Sequence, residues 1–369
     1  MAKDLKKEPR RRVTLRDIAE ETDLSIATVS YVLNRAKVAQ RLSSETRSRV
    51  EEAAARLGYT PDLIARSLKA RQSGLIGVMV FNIMDPYCTR LLNGIQTSLM
   101  KSEYLPLIMS TQNEPDLVQR YWKLLIERRV EGIIVIANST SVNVEAFRES
   151  RPGAFVMVGA TPPSKSVAHV VIDNLDGGAK ALACLYELGH REIAVLRGPR
   201  DVIDSQERWR GVQSFARKVG LKLDPQLCPQ LEALLDPTIV EEGERLTTRL
   251  IAQKRRFTAL LAFDDLSAIG AIRAFDRCHL TIPQDCSVIG FDDIPYAQLV
   301  RPSLTTMRQP LERMGALAVD NLLQQIKDRT NGHSTKLLGK TVQAELVIRE
   351  STMAPRRQLN LMRSPRSSG

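Results

Sequence analysis

The sequence predicts an α/β protein of two similar lobes built on parallel sheets, preceded by a small helix-turn-helix head. Three observations predict it. From residue 74 onward, apolar runs alternate with amphipathic helical segments, the pattern of parallel strands covered on both faces. Residues 13–34 hold two short helical patterns with only Thr22-Asp23-Leu24 between them. The formal charge of +11 is unevenly placed, with +6 on residues 1–72, +2 on 73–349 and +3 on 350–369. A basic head, a nearly neutral middle and a basic tail are therefore expected as separate parts.

In the head, Thr14 can cap a first helix with Asp17 reaching back as in a capping box, while Leu15, Ile18 and Ala19 form an apolar stripe. Ser25 caps a second helix, where Val29, Val32 and Leu33 repeat that spacing. A three-residue link suits the crossing angle of a helix-turn-helix, with Asp23 taking the left-handed conformation usually given to glycine. A third helix follows, capped by Ser43 or Ser44, with Val50, Ala54 and Leu57 on one face and Gly58 as its stop. Thr60-Pro61 then opens a short basic segment, since proline is favoured at the first helical position.

The middle continues through LIGVMVFN, a helix near 86–102, YLPLIMST, a helix near 115–129, and GIIVIAN. It goes on through AFVMVGA, HVVID with a helix from Asn174, EIAVLRG with a helix from Ser205, TALLAF with a helix from Asp265, and SVIGFDD. No G-x-G-x-x-G occurs, and the one G-K-T, at Gly339 to Thr341, has Ser334 where a phosphate loop needs its first glycine and precedes a strand-like run. No Ser/His/Asp set has a recognisable local spacing, so no enzyme is expected. The five cysteines are scattered without a C-x-x-C and are expected as reduced thiols, with neither a metal nor a cofactor. No apolar run approaches the roughly 20 residues of a membrane span, and the start MAKDLKKEPRRR has no signal-peptide core, so the cytoplasm is the expected compartment.

These segments carry a resemblance. VTLRDIAEETDLSIATVSYVLN, SSETRSRVEEAAARLGYTPDLIARSLK, MDPYCTRLLNGI, VVIDNLDGGAKALACLYELGHREIAVLRGP, DSQERWRGV, FDDLSAIGAI and VIGFDDIPYAQLVRPSLTTMRQP are similar to the lactose-repressor (LacI/GalR) family of bacterial transcription regulators. The resemblance implies a DNA-binding helix-turn-helix domain over 1–59, a hinge helix and linker over 60–72, and a two-lobed periplasmic-binding-protein-like core for effector binding and dimerisation over 73–349, while composition, with Pro, Ser and Arg and no apolar period, predicts a disordered basic tail over 350–369. It places residues Ser25 to Asn34 as a recognition helix in the major groove, and Leu68 beside Lys69 as a minor-groove wedge. The physics of the side chains fits those roles. Ile26 and Ala27 can meet thymine methyls or simply pack, whereas Tyr31 offers both a ring and a hydroxyl to a base. Thr14, Ser25, Thr28, Ser30, Asn34 and Tyr59 suit phosphate oxygens, which position without specifying. A leucine wedge kinks the duplex most cheaply at a flexible pyrimidine–purine step.

In the core, the resemblance puts Tyr87 and Cys88 on the wall of the first lobe, Arg208 and Asp292 as the charged pair of the second, and Asp173 and Asp264 alongside. Carboxylates and an arginine suit the adjacent hydroxyls of a sugar, and a tyrosine ring covers its apolar face. For Asp173 and Asp265, capping the next helix is an equal reading. The sequence departs from its relatives at Tyr31 (usually arginine), Asp264 (usually asparagine), Cys88 (usually aromatic) and Thr238 (often a stacking aromatic), and its loop NRAKVAQRLSS is about three residues longer than usual. A less flat, more polar or cationic effector is expected. The tail has Leu359, Leu361 and Met362 but no leucine heptad, so a homodimer on a near-palindromic operator in double-stranded DNA is expected. Effector binding would change lobe closure and thereby hinge folding on DNA; the sign, induction or co-repression, is open. A periplasmic solute-binding protein would share the middle but has no use for a basic helix-turn-helix.

Overall fold

The computed structural model describes residues 13–34, 37–59, 73–137, 153–160, 167–232, 238–253, 255–334 and 338–356. The hinge segment with Leu68 and Lys69, the side chain of Thr238, and the tail from residue 357 lie outside them. The chain divides into two compact units, residues 1–73 and 74–369.

The first unit holds helices α1 (Leu15–Thr22), α2 (Ile26–Leu33) and α3 (Ser44–Leu57). Their boundaries follow from local hydrogen bonding. Thr14 and Asp17 form the capping box, and Ser25 and Ser43 each accept a backbone N–H of the following turn. Asp23 ends α1 at φ 51°, and Gly58 ends α3 at φ 68°. Ile18, Val29 and Val50, one from each helix, are fully buried at the centre. A short 3-10 helix, Lys37–Arg41, occupies the long loop beside α2.

The second unit is two-lobed. Strands β1 (Leu75–Val80), β2 (Leu105–Ser110), β3 (Gly132–Ile136), β4 (Ala154–Val158) and β5 (Ala168–Ile172) belong to the first lobe, with helices α4 (Pro86–Leu99) and α5 (Pro115–Glu127). Helices α6 (Asn174–Glu187), α7 (Ile203–Lys218), α8 (Thr238–Ala252) and α9 (Asp265–Arg277) alternate in the second lobe with β6 (Ile193–Leu196), β7 (Ala259–Ala262) and β8 (Ser287–Asp292). The turn α10 (Tyr296–Leu299), β9 (Thr305–Arg308), α11 (Leu311–Thr330), β10 (Gly339–Val342) and β11 (Glu345–Val347) complete the order. The first sheet runs β10-β5-β4-β3-β1-β2 with every pairing parallel. The second runs β11-β9-β8-β7-β6, parallel except that the edge strand β11 is antiparallel to β9. Gly339 to Val342 thus form an edge strand, a setting in which a phosphate loop cannot open a helix.

Strand order and helix packing together show where the chain changes lobe. Among the described residues it passes between lobes at β5 to α6, at β9 to α11 and at β10 to β11. Two of these passages are fastened to each other, because Asp173 N–H donates to Val342 O at 2.8 Å and Gln343 Nε2 to Asp173 Oδ2 at 3.2 Å. Within the second lobe α6 and α7 touch backbone to backbone. A Cβ added to Gly211 would lie 2.0 Å from Leu175 O, and one on Gly178 would lie 2.2 Å from Arg208 O, so only glycine permits this approach.

Residues 350–356 correct the expected tail. Composition alone assigned them to a disordered end, but Ser351 is fully buried, and its hydroxyl donates to Val288 O and accepts from Thr305 N. His190 Nε2 lies 2.9 Å from Met353 O, and Met353 N donates to Ser287 Oγ. Hydrogen bonding at the starts of β8 and β9, through the Ser351 backbone and the Ser351, Ser287 and His190 side chains, needs no apolar period and is what orders this segment.

Candidate functional site

On the head, α2 buries Val29 and Val32 and turns Ile26, Ala27 and Tyr31 outward. Ile26 is 45% exposed and Tyr31 41% exposed, a large apolar area for so small a unit. The short polar side chains largely serve the helix itself. Ser25 Oγ accepts Thr28 N–H and lies 2.8 Å from Thr28 Oγ1, Thr14 Oγ1 donates to Asp17, and Asn34 Nδ2 donates to Ser30 O. The Tyr59 ring packs against the head's core. Val38, in the long loop, adds an exposed apolar side chain that spacing did not single out.

The second unit contains a cleft enclosing about 610 Å³, solvent included. Phe81, Asp85, Pro86 and Tyr87 reach it from beyond β1 and the first turn of α4; Pro199, Val202, Asp204 and Arg208 from beyond β6 and from α7. Phe263, Asp264 and Leu266 follow β7, Asp292 and Ile294 close β8, and Ile239 comes from α8. Every strand involved offers its carboxyl end, where an open α/β sheet leaves a crevice.

Arg208 organises the cleft. It is 7% exposed, with Nε donating to Asn174 Oδ1 and Nη1 to Phe263 O, both at 2.8 Å. Its guanidinium stacks on Phe291, 3.7 Å from the ring centre. The remaining nitrogen, Nη2, faces two carboxylates, Asp292 Oδ1 at 3.4 Å and Asp204 Oδ2 at 4.0 Å. Burial outweighs this one arginine, and both Asp204 and Asp292 are pushed up to about 7. Burial likewise raises the Tyr87 hydroxyl, which has no hydrogen-bond partner.

Asp292 also carries backbone strain, with φ 109°, and Asp293 follows at φ 57°. What holds the strain is a network. Gln309 Nε2 donates to Asp292 Oδ1 at 2.6 Å, and Arg308 and Arg349 donate to the two oxygens of Asp293. Beneath the cleft, Asp265 accepts from Thr306 Oγ1 and Ile294 N, and burial raises its pKa well above the carboxylate range.

Of the residues expected at an effector site, Tyr87, Arg208, Asp264 and Asp292 line this cleft. Cys88 does not: it is fully buried in the first lobe's core, on the helix face shared with Leu91, Leu92 and Ile95. Asp173 does not line it either; it caps α6 by accepting Asp176 N–H and sits at a passage between lobes. Asp264 both lines the cleft and caps α9 in a reciprocal pair with Ser267. Asp204 and Asp85 were not foreseen. Asp204 could have been found, because it precedes Arg208 by four residues and so shares its face of α7.

Comparison with known proteins bears on both units. A family model for bacterial regulatory proteins, lacI family, matches residues 14–62, and one for a periplasmic binding protein-like domain matches residues 182–352. The HTH-type transcriptional repressor PurR of Aliivibrio fischeri (strain MJ11) is 30% identical over 342 residues, covering 92% of this chain and 98% of that protein. The HTH-type transcriptional repressor CytR of Escherichia coli (strain K12) is also 30% identical, with 92% and 96% covered. Among solved structures, the lac repressor dimer bound to operator and the anti-inducer ONPF superposes with a TM-score of 0.82 at 25% identity, covering 93% of this chain and all of that one.

Proposed function

The chain belongs to the lacI family of bacterial regulatory proteins, and from that premise we propose a cytoplasmic homodimeric repressor whose affinity for a near-palindromic operator is set by a small molecule in the interlobe cleft. The observation that carries this reading is the pairing, in one chain, of a helix-turn-helix presenting Ile26 and Tyr31 outward with a polar crevice lined by Arg208 and Asp292. Residues 1–59 are read as the DNA-binding domain, 60–72 as its hinge, and 73–349 as the effector-binding and dimerisation unit. On DNA, Tyr31 reads base edges, Ile26 and Ala27 meet thymine methyls, and Thr14, Ser25, Thr28, Ser30, Asn34 and Tyr59 serve the phosphates. Leu68 and Lys69 act at the minor groove.

In the core, Tyr87, Arg208, Asp264 and Asp292 hold the effector, a sugar or sugar derivative. Cys88 and Asp173 act behind it, the one by packing α4 and the other by fixing a passage between lobes. Because Gln309, on the β9 to α11 passage, is bonded to Asp292, a ligand gripping that carboxylate also loads the connection on which lobe closure turns. This is the chemistry of a regulator rather than an enzyme.

Selection of bound duplexes from a random library, followed by fluorescence anisotropy on the winners, tests the reading. Enrichment of a two-fold symmetric site with half-sites about one helical turn apart is expected. Failure of any duplex to be enriched over random sequence would end it.

A further inference from the structure

We propose that the effector is a polyhydroxylated small molecule bearing an ammonium group, of the amino-sugar class, whose charge is read by the cleft carboxylates while Arg208 and Tyr87 read its hydroxyls. The proposal rests on the reading that the cleft is the effector site.

Four carboxylates, Asp85, Asp204, Asp264 and Asp292, converge on the cleft from four separate segments, and Arg208 is the one basic side chain lining it among the described residues. That arginine is largely committed elsewhere. Two of its nitrogens serve Asn174 and Phe263, and the third stands 3.4 and 4.0 Å from Asp292 and Asp204, beyond the roughly 2.7–2.9 Å of a charge-assisted hydrogen bond. One guanidinium at these distances does not neutralise two buried carboxylates.

A second, independent feature points to a ligand. Tyr87 lines the same cleft, is nine-tenths buried, and its hydroxyl has no partner, an arrangement costly unless a bound group completes it. A neutral hexose could meet that hydroxyl but offers the four carboxylates no positive charge. An ammonium group supplies it.

The protonation of the cleft follows. Asp204 is faced by Arg208, Glu207 and Tyr87; Asp292 by Arg208, Asp264, Asp265, Asp85 and Tyr87. With both held near 7, each carries a proton through much of the range below neutrality, and an incoming ammonium must displace it. Affinity therefore rises with pH until the carboxylates are ionised.

Calorimetry on the full chain tests this with D-glucosamine, D-galactosamine and D-mannosamine, each beside its N-acetyl and neutral-hexose counterparts, and with spermidine as an ammonium compound lacking hydroxyls. One amino sugar is expected to bind at least about tenfold tighter than both counterparts, to tighten by about tenfold from pH 5.5 to 7.0, and to release protons in buffers of differing ionisation enthalpy. Asp204→Asn and Asp292→Asn should each erase the preference for the amine. Equal or tighter binding of a neutral sugar, abolished by Asp292→Asn, overturns the charge assignment and leaves the cleft reading standing. Binding of any probe that is indifferent to Asp204→Asn, Asp292→Asn and Arg208→Ala alike overturns the cleft reading itself. Binding by none of the three amines, or tighter binding of spermidine, overturns the proposal.

Discussion

Arg90 Nη1, on α4 of the first lobe, donates a 2.8 Å hydrogen bond to the carbonyl oxygen of Asp293, the residue after the cleft carboxylate Asp292 in the second lobe. The same guanidinium grips both carboxylate oxygens of Glu312, in the first turn of the helix that follows the β9 to α11 passage. A change at Asp292 therefore reaches α4 through one backbone residue. Arg90→Ala should cost only about 1 kcal/mol in stability, the size of a partly exposed hydrogen-bonded pair, yet narrow the difference in operator affinity with and without effector. Anisotropy titrations of variant and parent check this; an undiminished effector response would show that coupling runs by another route.

Acidity in the cleft leaves a mark on stability before any ligand is added. Asp292 ionises near 3.8 when free but at about 7 in the folded chain, so folding retains a proton that the unfolded chain gives up between those values. The stability this proton contributes is complete below about pH 4 and is lost as pH rises through about 7. Asp204 has the same sign. The melting temperature of Asp292→Asn should therefore fall less steeply from pH 5 to pH 8 than that of the parent. Parallel slopes in differential scanning fluorimetry would contradict the buried-acid assignment.

Tyr31→Ala should relax base preference at one position of each half-site by about 1–3 kcal/mol, which is roughly 5- to 150-fold in relative affinity. The ring is exposed, so the head's own melting should barely change. Competition titrations with single-base operator variants give the profile, and a uniform loss across all variants would mark Tyr31 as a phosphate contact instead.

Ser351 is fully buried with both hydrogen-bonding roles used, toward Val288 O and Thr305 N. Its replacement by alanine strands two backbone groups and should cost about 1–3 kcal/mol in urea denaturation with the slope unchanged. A cost near zero would mean that the segment contributes nothing to holding the starts of β8 and β9.

What was legible beforehand was what local chemistry decides. A capping box, Ser25 and Ser43 at helix starts, and Asp23 and Gly58 at left-handed stops have mechanisms spanning only a few residues, and each fell where its chemistry demanded. Strands buried on both faces were legible for a similar reason. By contrast Thr305–Arg308 has no apolar alternation, and its place in the second sheet comes from a parallel neighbour. Residues 350–356 have none either, and are ordered by backbone pairing together with the Ser351, Ser287 and His190 side chains. At the cleft, the family likeness placed Cys88 on a wall, whereas the spacing of Cys88, Leu91, Leu92, Ile95 and Leu99 already marked it as core. Asp204 escaped notice because its meaning depends on Arg208 one turn away and on a burial no motif expresses.

The passages of the chain between the lobes have a consequence for recombination. Neither lobe is one uninterrupted stretch of gene: α11 and β10 of the first are encoded after all but the last strand of the second. A single splice inside residues 74–347 joins parts of two foreign lobes across their shared cores, and chimaeras made there should mostly be insoluble. A splice near residues 73 and 74 divides no compact unit. Exchange of heads between relatives is thus the one simple crossover that can rewire which genes respond to a given small molecule while leaving the sensor intact.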